Sequence, residues 1–104
     1  MICTTLRVER PEGSVLARGM AAQIEQAAPD DAERLDAAGS RPFDIFWMYT
    51  TGGVPAVALR RGDALFDERY TDPETGQPAK YRVSGLVEVF DDHIEALCER
   101  VIGG

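Results

Sequence analysis

Arg60-Arg61-Gly62-Asp63, Ala64-Leu65-Phe66-Asp67-Glu68-Arg69-Tyr70 and Thr71-Asp72-Pro73-Glu74-Thr75-Gly76-Gln77-Pro78 follow one another, and their reading decides the fold. The tetrapeptide separates two strand-like runs, Val54–Leu59 and Ala64–Tyr70, because Gly62 permits φ > 0 and Asp63 favours a turn. Residues 71–78 are dense in side chains that preset φ or tolerate positive φ. They predict a tight exposed turn that folds Ala79–Phe90 back on its predecessor. Runs punctuated in this way make a meander of β-strands.

The same signature extends outward. After the turn, Tyr81, Val83, Gly85, Val87 and Val89 alternate with Arg82, Ser84, Leu86, Glu88 and Phe90, and Gly85 sits where a strand bends or bulges. Phe43–Thr51 is the most apolar run, with Phe43, Ile45, Trp47 and Tyr49 on one face and Phe46 and Met48 on the other. It reads as a central strand covered on both sides, ended by a Gly52-Gly53 hairpin into Val54–Leu59. Ile2–Val8 reads as a short strand closed by Arg10-Pro11-Glu12-Gly13. Val15–Gln26 reads as a strand too, although Met20, Ala21, Ile24 and Ala28 also suit a helical face. The expected core is Phe43, Ile45, Trp47, Tyr49, Tyr81, Val83 and Val87.

Two segments carry other patterns. Pro29–Gly39 holds Asp30, Asp31, Glu33 and Asp36 among alanines, between a capping Pro-Asp-Asp head and a terminal glycine. This predicts one short helix around 30–38, with an acidic loop as the competing reading. In Asp92–Ile102, Ile94, Leu97, Cys98 and Val101 follow helical spacing.

The 104 residues suit a single domain, 1–104, with enough apolar side chains for a core without metal or disulfide staples. Eleven Lys and Arg against 18 Asp and Glu give a net charge of −7, which argues against a surface that grips nucleic-acid phosphates. Cys3 and Cys98 belong to no C-x-x-C pair, so neither a zinc cluster nor a secreted disulfide framework is expected, and a reduced intracellular site of synthesis fits. Met1–Gly13 lacks the pattern of a secretory signal, and no run reaches the ~18 apolar residues of a membrane span.

Reactive constellations are weak. His93, the only histidine, has Asp91, Asp92 and Glu95 nearby, but such a cluster more often forms a solvated turn than a metal site. Ser14, Ser40 and Ser84 lack a G-x-S-x-G setting, and Cys3 or Cys98 would have to share the one histidine as base. Gly52-Gly53 lacks the lysine of a phosphate-binding loop. Neither catalysis nor a cofactor is expected.

Taken together, Val54–Leu59, Arg60-Arg61-Gly62-Asp63, the strand after it, Thr71-Asp72-Pro73-Glu74-Thr75-Gly76, Lys80-Tyr81-Arg82-Val83-Ser84-Gly85 and His93-Ile94-Glu95 through Glu99 resemble the head-closure family of tailed phages. These are the head-tail joining, stopper or head-completion proteins. The resemblance spans roughly residues 15–101, on short motifs. In that family a Gly-Asp turn, here Gly62-Asp63, leads into a strand, and a hairpin leads to a Y-x-V strand, here Tyr81 and Val83. The Asp72–Gly76 hairpin takes the place of an exposed loop, and His93–Val101 becomes a strand, contrary to its helical spacing.

The resemblance implies a small antiparallel β-barrel with long loops, assembled with itself as a ring of roughly six or twelve copies. Its neighbours would be the portal-adaptor proteins on one side and the tail terminator or tail tube on the other. Double-stranded DNA would pass through the lumen without specific binding, and no membrane would be involved. The protein would be made in the bacterial host cytoplasm and reside in the virion neck. Arg61, Gly62, Asp63 and Asp72, Pro73, Glu74, Thr75, Gly76 are then the turn and interface residues, and Asp30, Asp31, Glu33 and Asp36 the densest candidates for an acidic channel face. Ring assembly is expected to hide strand edges that an open barrel would expose. The alternative is a small acidic phage-encoded inhibitor or adaptor that binds a basic protein.

Overall fold

The computed structural model describes residues 2–28, 45–51 and 58–101. Six strands follow in chain order: β1 (Ile2–Glu9), β2 (Val15–Gln26), β3 (Ile45–Thr50), β4 (Ala64–Thr71), β5 (Pro78–Val89) and β6 (Ile94–Val101). They close into an antiparallel barrel in the order β1-β2-β3-β6-β5-β4, with β4 returning to β1 through Leu6↔Asp67, Val8↔Leu65 and Glu9↔Ala64. There is no helix among the described residues. The expected helix around 30–38, the Gly52-Gly53 hairpin and Phe43 lie outside them. Of the run expected as a strand from Val54 to Leu59, only Ala58 and Leu59 are described; neither is in a strand, though Leu59 is buried in the core.

Period-two alternation builds the interior. Leu6 and Val8 of β1, Ala22 and Ile24 of β2, Leu65 of β4, Tyr81 and Val83 of β5 and Ile94, Ala96 and Cys98 of β6 all point into one cluster. Burying alternate side chains on a closed sheet supplies most of the driving force, at roughly 1.5–3 kcal/mol for each large aliphatic. Where the alternation must shift, the ladder slips. Leu6↔Met20 and Val8↔Ala17 bracket one extra residue in β2, where Gly19 takes φ +64°. Val83↔Cys98 and Val87↔Ala96 bracket another irregularity, around Gly85.

Strand β3 is covered on both faces, as expected, and Ile45 is buried, but the barrel interior takes the face of Phe46 and Met48 rather than that of Trp47 and Tyr49. Met48 fills the barrel and Phe46 packs against its core, the Phe46 ring meeting Tyr81 edge-on at 5.5 Å. The face of Ile45, Trp47 and Tyr49, expected as core, turns outward. There Ile45 forms a second cluster with Ala27 and Leu97, with Trp47 and Leu86 packed on it, while Tyr49 is half-buried and donates to Glu25 Oε1 at 2.8 Å. Val87 is partly buried against the main core.

The same second cluster explains β6. Ile94, Ala96 and Cys98 face inward and Leu97 faces outward, yet Leu97 is fully buried. A strand that is apolar on both faces mimics the i, i+3, i+4 spacing of a helix. Ladders to β3 and β5 on either side decide the matter in favour of strand.

Candidate functional site

Turn chemistry determines how the expected site residues are presented. Three aspartates on and around β4, Asp63, Asp67 and Asp72, are almost completely buried. A buried carboxylate is tolerated only when hydrogen-bonded, and each of these binds its own turn and one neighbouring element. Asp63 Oδ2 accepts from Arg60 N at 2.8 Å and from Arg10 Nη1 at 2.7 Å, joining the Gly62-Asp63 turn to the chain after β1. Asp63 Oδ1 has no partner. Asp67 Oδ1 accepts from Arg69 N at 2.9 Å and Tyr70 N at 3.0 Å, shaping a bulge in β4, and also takes the Thr4 hydroxyl of β1. Asp72 Oδ1 accepts from Glu74 N at 2.9 Å and Oδ2 from Arg100 Nη2 of β6 at 2.6 Å. That arginine is the first reason the Asp72 carboxyl lies below the ordinary carboxylate range, the Glu74 amide the second.

The expected loop residues therefore divide. Asp63 and Asp72 are anchors inside the fold, whereas Arg61, Pro73, Glu74, Thr75 and Gly76 are exposed. Gly76 at φ +70° and its N–H donated to Asp72 O at 2.9 Å close a hydrogen-bonded, exposed turn. Tyr81 and Val83 lie in the interior, and burial pushes the Tyr81 phenol up to about 12. Asp30, Asp31, Glu33 and Asp36 lie outside the described residues.

A surface that the sequence reading missed lies on the outer face of β1, β4 and β5. The register sets Arg7 beside Phe66 and Phe66 beside Lys80. Both cations approach the ring, Arg7 Cζ at 4.5 Å and Lys80 Nζ at 5.4 Å from its centroid. Two shallow grooves meet there. One, of about 270 Å³, runs past Pro78 and Val101 towards Thr75, and the other, of about 370 Å³, runs past Arg82 towards Arg10 and Gly62. Arg7 is shared with Glu9 at 2.6 Å and Arg10 with Asp63, while Lys80 and Arg82 have no carboxylate partner among the described residues. Spacing along the chain gives only part of this patch: Lys80 and Arg82 share a face of β5 at period two, whereas Arg7 and Phe66 come from other strands.

The far end of β5 has the opposite character. Phe90 N donates to His93 O at 2.8 Å, closing the β5–β6 hairpin, and the Phe90 ring stacks on His93 at 4.7 Å. His93 Nδ1 lies 2.6 Å from Asp92 and Nε2 3.9 Å from Glu95. The imidazole is the main reason the Asp92 carboxyl is held below its usual range. Val89 and Phe90 are exposed, Val89 by 67%.

Among the described residues no three His, Cys, Asp or Glu side chains are grouped to hold a metal ion. Cys98 is fully buried, its thiol pushed up to about 12 by desolvation, while Cys3 is exposed with Sγ 3.7 Å from Gln23 Nε2. No helix among the described residues is long and apolar enough to cross a membrane. The chain matches no family model, no curated protein and no solved structure.

Proposed function

We propose that this chain is a structural protein of a tailed-phage virion, a head-tail joining or stopper component. Assembled as a ring in the virion neck, it connects the portal-adaptor proteins to the tail and helps retain packaged DNA. The observation that carries the reading is β6. The spacing of Ile94, Leu97, Cys98 and Val101 reads as a helix, whereas the resemblance to head-closure proteins requires a strand there, and Ile94–Val101 is a strand of a closed antiparallel barrel. The loop that the resemblance makes functional is exposed and is held from inside by Asp72. A loop at a lumen acts by shape and needs no reaction, which fits a part whose task is to narrow a channel.

A net charge of −7 fits a lumen that lets DNA pass without holding it, but it fits an acidic inhibitor of a basic protein equally well. The two readings separate in the particle. Mass spectrometry of purified virions is expected to find the chain at a ring's copy number. Its absence from virions, with binding to a basic host or phage protein instead, would establish the inhibitor.

A further inference from the structure

Each described strand of the closed barrel pairs with a neighbour on both sides over part of its length, and the outer side-chain surfaces offer a further route to self-association. We infer that the β5–β6 hairpin of one copy docks into the Phe66 groove of the next, a head-to-tail contact that rests on the ring reading above.

Three features of the surface carry this assignment. The hairpin presents exposed apolar side chains, Val89 and Phe90, beside the carboxylates of Asp91 and of Asp92, the latter held by His93. The groove offers the complement: an aromatic and apolar floor of Phe66, Pro78 and Val101, with the cations of Arg7, Lys80 and Arg82 at its sides. Glu9, the one carboxylate lining it among the described residues, is offset by Arg7, which leaves Lys80 and Arg82 as the net positive charge. Exposed apolar side chains rimmed by one sign of charge mark contact surfaces, and opposite signs on the two partners orient them.

Position excludes self-docking, and charge disfavours a two-fold contact of groove with groove or tip with tip. Lys80 and Phe90 sit at opposite ends of β5, which at ~3.3 Å per residue separates them by roughly 30 Å; the whole molecule measures 32 × 32 × 28 Å. A copy cannot fill its own groove. Pairing groove with groove, or tip with tip, would oppose like charges. Tip into groove taken head to tail leaves one free tip and one free groove at every step, the heterologous geometry that closes into a ring when the rotation permits, whereas a reciprocal pair would stop at a dimer. It also lets molecules of net charge −7 attract one another locally.

The experiment is sedimentation and mass photometry of the full chain, with Lys80→Glu as the groove variant and Phe90→Ser with Asp91→Ser as the tip variant. All three substitutions are on the barrel's outside, and circular dichroism confirms folding. The wild type is expected to form species larger than a dimer, dispersed by salt, and each variant to associate at least tenfold more weakly. Mixing the two variants restores a dimer and nothing larger, because one intact tip and one intact groove remain. Chains carrying both Lys80→Glu and Asp91→Lys regain association through the exchanged charges. A wild type that stays monomeric, variants that associate normally, or a mixture that stays monomeric would each overturn the contact. Virion incorporation separates this from the functional reading. Wild type and both variants present at equal copy number would sink the contact and leave the ring. Wild type absent from virions would sink the ring reading, whatever the solution result.

Discussion

Arg100 of β6 reaches across the width of β5 to place Nη2 2.6 Å from Oδ2 of Asp72, at the root of the β4–β5 turn. The pair ties three consecutive strands of the barrel together at one end. Its other oxygen holds Glu74 N, so the same carboxylate sets the shape of the exposed loop.

The pH dependence of stability follows from that pair. Asp72 has a lowered carboxyl pKa in the folded state, so its contribution is fully present above the unfolded carboxylate value, ~3.9, and is lost as pH falls from there through the lower folded value. Arg100 stays protonated throughout. Thermal melts from neutral pH to pH ~2.5 are expected to show Asp72→Asn with a lower Tm at neutrality and a shallower acid decline than the wild type. Parallel acid limbs in the two proteins would show that other carboxylates govern acid unfolding.

Truncation separates the inside of β3 from its outside. Met48 is fully buried in the barrel, so Met48→Ala is expected to cost ~2–5 kcal/mol in urea denaturation. Trp47 is half-buried on the outer cluster, and Trp47→Ala is expected to cost about half of the ~3–5 kcal/mol of a fully buried aromatic. A larger loss at Trp47 than at Met48 would reverse the assignment of the two faces.

Backbone conformation makes its own prediction at Gly62. With φ at +90°, an alanine there is strained by about 1–2 kcal/mol even though its Cβ would find Pro11 Cγ at an acceptable 3.6 Å. Gly62→Ala is therefore expected to lower stability with no change in the barrel's circular dichroism. A neutral substitution would show that the turn relaxes to negative φ.

Thiol accessibility tests barrel closure. At neutral pH an alkylating reagent is expected to modify Cys3 alone in the folded protein and both cysteines after denaturation, because Cys98 is fully buried with its thiol pushed up to about 12. Rapid modification of Cys98 in the native state would be incompatible with a sealed interior.

The loop can be altered without touching its anchor. Replacing Pro73-Glu74-Thr75 with Gly-Ser-Gly keeps Asp72 and Gly76, so the barrel is expected to fold with a Tm close to the wild type while heads fail to join tails. Normal particle yield from phage carrying this variant would remove the loop from the joining role.

Local sequence alone determined most of the strands and turns. Alternation placed β2 at Val15–Gln26 and β1, β4 and β5 within a residue of their bounds, and the positive-φ glycines at 62 and 76 marked the turns, because pleat periodicity and φ sterics act between near neighbours. What lies inside was a tertiary decision. Whether Met48 or Trp47 faces the core, and whether Leu97 belongs to a helix or to a strand buried on both faces, depends on what packs on each side of the sheet. Asp63 and Asp72 read as turn residues and Asp67 as one position of a strand until Arg10, Arg100 and Thr4 arrive from elsewhere in the chain to satisfy them. The cationic groove, too, exists only once barrel closure sets Arg7, Phe66 and Lys80 in one row. Ion pairing and burial act through space, and the order in which the strands close decides which distant residues become neighbours.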